Sequence, residues 1–307
     1  MKKIFLLILI LIISTVSVFG CGNKEVIKEE IKFGVLPAEG AIPIIVAHDK
    51  GYFEKEGLKV EVVPFNSPNE RNVAVQTGKI DGIIADIMTS LTYHDAGFNM
   101  KITSDINEDF KLLTAPNSGI DSFEKLNNKE VSLVPNFVLE YIMDEMAKEN
   151  NIKYKTVVIP SIPTRFEALL SNQVDSVIFT EPQASMLSKK GGNVLASSKE
   201  YGIKAGAILF NEKVTNENKG AIKAFYRGYN KAVEYINNTD AKEYSKVLTN
   251  YGFPNTIKGY LNNNSDYKKA NKLDKETFRS VLEWTKSKGI VKKDYTFEDI
   301  SNFNFIK

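Results

Sequence analysis

The sequence has very little cysteine and histidine. It contains one cysteine, Cys21, and two histidines among 307 residues. A single cysteine excludes an intramolecular disulfide, a thiolate zinc site and a Cys-x-x-Cys redox pair, and two histidines offer few metal ligands. We therefore expect neither a metal site nor a cofactor. The role of Cys21 becomes the first question.

An excess of charge of one sign is also absent. Lysine and arginine total 40 against 38 acidic residues, and 43% of the residues are hydrophobic. Without a long basic run there is no electrostatic basis for binding nucleic acid, and the chain is too apolar to be disordered. The length is that of a globular protein with about two domains.

Common catalytic and phosphate-binding motifs are missing as well. The sequence has no Gly-rich phosphate loop, no His-Glu-x-x-His and no Gly-x-Ser-x-Gly. Neither His48 nor His94 has a nucleophile or a metal ligand at a suitable spacing. We predict no catalytic residues and a protein that is not an enzyme.

The N-terminal segment has the features of a secretory signal. Lys2 and Lys3 precede an apolar run over residues 4–13, which is short for a membrane span, and small residues follow. The tetrapeptide Val18-Phe19-Gly20-Cys21 resembles a bacterial lipobox, which implies cleavage after residue 20 and acylation of Cys21. The alternative is an uncleaved anchor with a buried Cys21.

The predicted processing removes residues 1–20 and leaves residues 21–30 as a polar tether. Acyl chains such as palmitate on Cys21 would hold the protein at the cell membrane, on its extracytoplasmic side. The membrane is thus one expected partner, through a lipid anchor.

A duplicated unit recurs at a shift of 94 residues. Leu58–Met88 and Ile152–Pro182 align without a gap, and each copy reads as strand, loop, helix and strand. The identical positions include Lys59/Lys153, Ser67/Ser161, Arg71/Arg165, Ala74/Ala168, Asp81/Asp175 and Ile84/Ile178. Apolar strands that alternate with helices predict an α/β fold with mostly parallel sheets flanked by helices.

A further strand and helix precede each copy, over residues 31–50 and 130–149. The chain is therefore expected to form two lobes whose strand-end loops face each other across a ligand cleft. We predict lobe 1 over residues 31–115 and 209–307, with lobe 2, residues 116–208, inserted into it. The helical C-terminal part is expected to pack on lobe 1 and its hinge.

Two of the four arginines, Arg71 and Arg165, occupy equivalent positions in the duplicated unit. A guanidinium group in the first turn of a helix can clamp a carboxylate, sulfonate or phosphate. The alternative is that both arginines pair with structural carboxylates such as Asp81 and Asp175, or bridge to neighbouring loops.

Several stretches of the sequence resemble a known family, the ABC-transporter solute-binding lipoproteins of the nitrate, sulfonate, taurine and thiamine-precursor type. The stretches that carry the resemblance are Phe33–Pro37, Ile44–Val60, Gln76–Gly82 and Asn172–Pro182. The resemblance extends from about Ile31 to Phe305 and implies a two-lobe type II periplasmic-binding-protein fold. Asn172 stands where the family usually has glycine, and asparagine also accepts a positive φ.

Taken with the strand-end loops and the paired arginines, the resemblance implies a set of ligand-binding residues. They are Pro37, Ala38, Glu39, Gly40, Ala41, Asn66, Ser67, Arg71, Asp86, Met88, Thr89, Asn136, Phe137, Arg165, Thr180 and Glu181. Glu181 has an alternative role as a structural cap of the helix that begins after Pro182.

The resemblance implies a receptor that captures a small polar or anionic nutrient by lobe closure and delivers it to ABC permease subunits. Nitrate, a sulfonate, taurine and a thiamine precursor remain open as ligands, and we expect a monomer. One alternative is an enzyme of vitamin-precursor or menaquinone biosynthesis on the same fold, against which the secretory segment argues. Another is a sensory receptor, for which a transmembrane or output domain is expected.

Overall fold

The computed structural model describes residues 30–264 and 266–306. The predicted signal segment, Cys21 and all of the tether except Glu30 lie outside the described residues. None of the helices in the described ranges is long and apolar enough to cross a membrane.

Ten strands of the described chain form two five-stranded sheets. They are β1 Glu30–Val35, β2 Lys59–Pro64, β3 Gly82–Asp86, β4 Met100–Asp105, β5 Phe110–Thr114, β6 Glu130–Leu133, β7 Lys155–Val158, β8 Ser176–Thr180, β9 Asn193–Ser197 and β10 Gly206–Asn211. The first sheet has the order β2-β1-β3-β10-β4, and the second has the order β7-β6-β8-β5-β9. We call the part of the chain around each sheet the first and the second lobe.

Both sheets have the same pattern of strand directions. β1 runs parallel to β2 and β3, whereas β10 runs antiparallel to β3 and β4. In the second sheet β6 runs parallel to β7 and β8, and β5 runs antiparallel to β8 and β9. Four strands of each sheet therefore point the same way, and the predicted two-lobe α/β fold with mostly parallel sheets is confirmed.

Helices flank both sheets. They are α1 Ile42–Asp49, α2 Tyr52–Lys55, α3 Pro68–Gln76, α4 Ile87–Asp95, α5 Phe123–Leu126, α6 Val138–Glu149, α7 Ile162–Leu170, α8 Gln183–Lys189, α9 Glu212–Glu217, α10 Lys219–Asn238, α11 Ser245–Leu248, α12 Ile257–Leu261, α13 Lys275–Ser287 and α14 Phe297–Ile300. Short 3-10 turns lie at Glu39–Ala41, Ala241–Glu243 and Thr249–Tyr251.

The duplicated unit has the same structure in both lobes. Helices α3 and α7 each have nine residues, and both they and strands β3 and β8 are separated by the 94 residues seen in the sequence. Ser67 Oγ accepts from the Glu70 amide at 3.3 Å, and Ser161 Oγ accepts from the Thr164 amide at 3.4 Å. The same N-cap therefore starts both helices.

The paired aspartates of the duplicated unit accept hydrogen bonds from strands of the two sheets. Asp81 Oδ2 accepts from the Lys32 amide at 2.8 Å, and Asp175 Oδ2 accepts from the Glu130 amide at 2.9 Å. Asp81 thus ties its loop to β1 of the first sheet, and Asp175 ties its loop to β6 of the second. The alternative that Arg71 and Arg165 pair with these two aspartates is wrong, because the guanidinium groups donate to backbone carbonyls and to Asn72 instead.

The helix-to-strand turns that precede these aspartates need left-handed backbone. Gly78 has φ of 69° and its counterpart Asn172 has φ of 55°. Asparagine tolerates this region at moderate cost, so its presence where the family usually has glycine leaves the turn intact.

The chain passes between the sheets at other points than the sequence indicates. The prediction assigned Phe110–Ala115 to lobe 1 and residues 116–208 to lobe 2, but β5 lies in the second sheet and β10 begins at Gly206 in the first. The crossing segments are therefore residues 106–109 and 198–205. The strand's own residues do not reveal its partners, since β5 pairs with β8 and β9 far along the chain.

The C-terminal part packs on the first lobe and also reaches the second. Helix α10 buries ten residues, most of them apolar, and α13 packs on α4. From α13, Trp284 Nε1 donates to Asp144 Oδ2 at 2.9 Å, and Ser280 Oγ lies 2.8 Å from the Tyr141 hydroxyl. Lys288 Nζ lies 2.7 Å from Glu140 Oε1. This α13–α6 contact links the two lobes.

We expect Gly82→Ala to destabilise the first lobe, because a Cβ at position 82 would lie 2.6 Å from the Phe210 ring and 2.8 Å from the Phe33 ring. Both rings are fully buried. Overpacking of this kind costs about 1–3 kcal/mol, which urea denaturation would measure. Gly259→Ala on the exposed face of α12 is the control and should be stabilising by about 0.4–1 kcal/mol. An unchanged stability of Gly82→Ala would contradict the packing argument.

Candidate functional site

A cavity lies between the strand-end loops of the two lobes. The volume open to the centre of a water-sized sphere is about 100 Å³. On the same measure, a cavity that holds a single water has about 10–15 Å³. Its walls are mainly apolar, with Leu36, Ile84, Val134, Ile178 and Phe179 among the lining residues. The space suits a small molecule.

Eight of the predicted ligand-binding residues line this cavity. The first lobe contributes the end of β1, the first turn of α3 and the end of β3; the second lobe contributes the equivalent positions. The eight are Pro37, Ala38, Gly40, Arg71, Asp86, Phe137, Arg165 and Thr180. The duplicated plan therefore brings the same kinds of element together from both sides.

Four other predicted residues have structural surroundings. Ala41 and Met88 are fully buried in the two cores of the first lobe. Ser67 caps α3, and the Asn66 carbonyl accepts from the Ile162 amide of the second lobe at 3.2 Å.

The remaining four line neighbouring depressions. Thr89 and Asn136 lie in a groove beside the cavity, and Glu39 and Glu181 lie in a pocket against the crossing segments. Glu181 Oε2 accepts from the Ser185 amide in the first turn of α8 at 2.9 Å. That bond agrees with the capping role considered for Glu181 in the sequence.

Arg71 is buried, with 3% of its surface exposed. Its Nη1 donates to the Ile84 carbonyl at 2.6 Å, and Nε and Nη2 donate to Asn72 Oδ1 at 3.0 and 2.9 Å. Burial lowers the pKa of the guanidinium, and the nearby Asp86 opposes the shift. The group is held at the cavity wall by uncharged oxygen atoms.

Arg165 is equally buried and has fewer partners. Its Nη1 donates to the Ile159 carbonyl at 2.7 Å, its guanidinium lies 4.7 Å from the centre of the Phe179 ring, and its Nε has no partner within the described chain. Burial lowers the pKa of Arg165 to about 10, so the side chain stays charged at neutral pH. A buried cation with an unsatisfied donor is a candidate site for an anionic group.

Asp86 connects the lobes at the cavity wall. Its Oδ1 accepts from the Thr89 amide at 2.7 Å and caps α4, and its Oδ2 accepts from the Val138 amide of the second lobe at 3.4 Å. Asp86 therefore marks a point where the end of β3 meets the first turn of α6.

Direct hydrogen bonds also join the lobes beside the cavity. The Glu39 amide donates to the Glu181 carbonyl at 2.9 Å, and Gln183 Nε2 donates to the Pro37 carbonyl at 2.5 Å. The two lobes are thus in contact, and the structure corresponds to a closed arrangement.

The pocket against the crossing segments concentrates carboxyl groups. Glu39 accepts from the Tyr260 hydroxyl at 3.0 Å, and Glu181 lies 2.9 Å from Lys111 Nζ. Burial raises the pKa of Glu39 to about 7. Across the residues the structure describes, no group of three or more histidine, cysteine, aspartate or glutamate side chains is arranged to hold a metal ion.

Several lining residues, most of them apolar, lie outside the predicted ligand-binding set. Ile106, Asn107 and Glu108 lie on the first crossing segment, and Gln183 and Gly206 begin α8 and β10. The sequence does not reveal the first crossing segment, because the preceding strand β4 has no clear strand pattern. Gln183 ends the strand-end loop of residues 180–183, in which Thr180 and Glu181 were predicted to bind the ligand.

The chain resembles proteins of two kinds. It is 23% identical to the 4-amino-5-hydroxymethyl-2-methylpyrimidine phosphate synthase THI11 of Saccharomyces cerevisiae, over 76% of this chain and 72% of that protein. It is 21% identical to a putative ABC transporter periplasmic binding protein of Brachyspira hyodysenteriae, over 81% and 79% of the two chains.

Comparison of structures confirms the fold. The alkanesulfonate-binding protein SsuA from Xanthomonas axonopodis pv. citri, solved bound to MOPS, superposes with a TM-score of 0.77 at 15% identity, over 89% of this chain and 98% of that one. The family model described as NMT1/THI5 like matches residues 39–242. Since that match spans about two thirds of the chain, the protein belongs to the NMT1/THI5-like family.

Proposed function

We propose that the protein is the extracytoplasmic solute-binding lipoprotein of an ABC importer, which captures a small polar or anionic nutrient by lobe closure. The observation that carries the proposal is the pair Arg71 and Arg165. They come from opposite lobes, occupy equivalent positions of the duplicated unit, and are both buried at one cavity. Among the described residues, Arg227 and Arg279 form ion pairs, whereas these two bind uncharged oxygen atoms.

The physical argument concerns the cost of buried charge. A guanidinium group in an apolar cavity loses its hydration, at a cost of several kcal/mol. An anionic group on a ligand would restore hydrogen bonds and compensate the charge, and this stabilisation is available only when both lobes are closed around the ligand. The ligand then shifts the population toward the closed state, which the permease would recognise.

The candidate ligands are those left open by the sequence: nitrate, a sulfonate, taurine or a thiamine precursor. Support for the organic candidates comes from two similar proteins, one named as an alkanesulfonate-binding protein and the other as a 4-amino-5-hydroxymethyl-2-methylpyrimidine phosphate synthase. The size of the cavity is compatible with a small alkanesulfonate and with an aminopyrimidine that lacks the phosphate group.

The enzyme alternative rests on the yeast relatives, which are named as synthases. A solute-binding protein, which carries its ligand, and an enzyme make opposite predictions for the fate of the bound molecule. Recovery of the molecule unchanged after prolonged incubation supports carriage, whereas a new product detected by mass spectrometry supports the enzyme.

The first prediction concerns a panel of four probes: taurine, propane-1-sulfonate, 4-amino-2-methylpyrimidine and 2,4-dimethylpyrimidine. At about 100 times its dissociation constant, a ligand adds about 2.7 kcal/mol to the free energy of unfolding. We expect at least one probe to raise the melting temperature in a thermal-shift assay. Failure of all four would count against the proposed function.

The second prediction concerns Arg165→Met, which keeps an apolar stem against Phe179 but removes the charge. Hydrogen bonds to charged groups contribute about 1.5–3 kcal/mol, so we expect sulfonate affinity to fall about 10- to 100-fold in calorimetry. Arg279→Met, on the exposed face of α13, is the matched control and should bind normally. An unchanged affinity of Arg165→Met would remove Arg165 from the ligand site.

The third prediction concerns the lipid anchor at Cys21. We expect Cys21→Ser to abolish metabolic labelling with palmitate and to move the protein from the membrane fraction to the soluble fraction, because no other cysteine is present. Ser14→Ala, in the same segment, should leave both properties unchanged. Membrane retention of an unlabelled Cys21→Ser protein would favour the uncleaved anchor instead.

A further inference from the structure

Glu108 occupies an unusual place in the molecule. It lies on the first crossing segment, residues 106–109, and its Oε1 accepts from the Ala205 amide at 2.7 Å and the Gly206 amide at 2.9 Å. Those two amides mark the end of the second crossing segment and the start of β10. One carboxylate oxygen therefore ties together both connections between the lobes.

The other oxygen of Glu108 has no hydrogen-bond partner within the described part of the chain. Oε2 is buried, and no donor among the described residues reaches it. A Cβ on Gly206 would overlap both Oε2 and the Ile106 side chain, so glycine at this position lets the carboxyl group pack against the start of β10. Glu108 and Gly206 both line the cavity that also contains Arg71 and Arg165. An unsatisfied buried acceptor is costly unless a ligand supplies the donor.

The charged residues that line the cavity indicate which kind of ligand group would donate to Glu108 Oε2. Arg71 and Arg165 are its cations, and Asp86 is its second carboxylate, with both oxygens already bound to amides. Glu108 is therefore the carboxylate of the lining that keeps an open oxygen, and Gln183 Oε1 is an uncharged acceptor of the same lining without a partner among the described residues. With Glu108 ionised, the two cations and two carboxylates of the lining balance, and a ligand that carries no net charge preserves that balance.

The environment of Glu108 adjusts its protonation. Burial raises the pKa of Glu108 to about 7; the two amides and the Lys204 ammonium group oppose this shift, and Asp86 adds to it. Near neutral pH the carboxyl group is therefore present in both forms. A positively charged donor at Oε2 would favour the ionised form.

We infer that Glu108 selects ligands that carry an amine, whose N–H group donates to Oε2 while an anionic or acceptor group of the same molecule faces the arginines. This inference rests on the proposed function. It adds a specificity-determining residue that lies on neither of the strand-end loops of the duplicated unit.

Glu108→Gln provides the test, because it changes the hydrogen-bonding character of one position. The amide oxygen of glutamine can accept from Ala205 and Gly206, which leaves its NH₂ group, a donor, where Oε2 stood. The probes are two pairs in which a methyl group replaces the amine: taurine with propane-1-sulfonate, and 4-amino-2-methylpyrimidine with 2,4-dimethylpyrimidine. Glu283→Gln, on the exposed face of α13, is the matched control.

We expect the wild-type protein and Glu283→Gln to prefer the amine of a pair about 10- to 100-fold, and Glu108→Gln to lose most of that preference. Affinity for the methyl analogue should change little. Calorimetry at pH 6.5 in two buffers of different ionisation enthalpy should detect proton release when the wild-type protein binds taurine, and none in Glu108→Gln.

The outcomes separate this inference from the proposed function. Binding of none of the four probes by the wild-type protein counts against the proposed function. Binding with an equal or reversed preference, or an unchanged preference in a folded Glu108→Gln, overturns the role of Glu108 alone. If the variant fails to fold, the wild-type measurement decides: binding of taurine without proton release also overturns it.

Discussion

Moving a guanidinium group from water into an apolar cavity costs several kcal/mol unless hydrogen bonds and opposite charges replace the water. Arg71 and Arg165 both lie in such surroundings, and oxygen atoms of neighbouring elements accept from each. Their positions follow from the serine caps that begin α3 and α7 and from the strands that precede these helices. The arrangement of caps, helices and strand ends is what allows two positive charges to meet at one cavity.

The sequence contained most of the information on the duplicated unit. The gapless shift of 94 residues relates the bounds of α3 to those of α7 and the bounds of β3 to those of β8, because local capping and apolar periodicity determine these elements. The strand order, in contrast, does not follow from local sequence patterns. Strand β5 has the composition of any apolar strand, and only its pairing with β8 and β9 assigns it to the second sheet. Such long-range pairing leaves no local signature.

The residues of the candidate site likewise fall into those that the sequence predicts and those that it does not. Arg71, Asp86, Arg165 and Thr180 follow from the repeat and the strand ends. Glu108 does not, because its segment follows β4, a strand of six residues with four polar members, and has no counterpart in the duplicated unit. Its significance appears only when the fold brings the amides of Ala205 and Gly206 against it.

The contact between α13 and α6 adds a connection that is independent of the cavity. None of the residues that form it, among them Trp284, Asp144 and Lys288, lines the cavity. Part of the free energy that holds the lobes together is therefore present before any ligand arrives, and a ligand supplies only the remaining difference between the open and closed states. Evolutionary change in this C-terminal helix can consequently retune apparent affinity while every residue at the ligand stays the same.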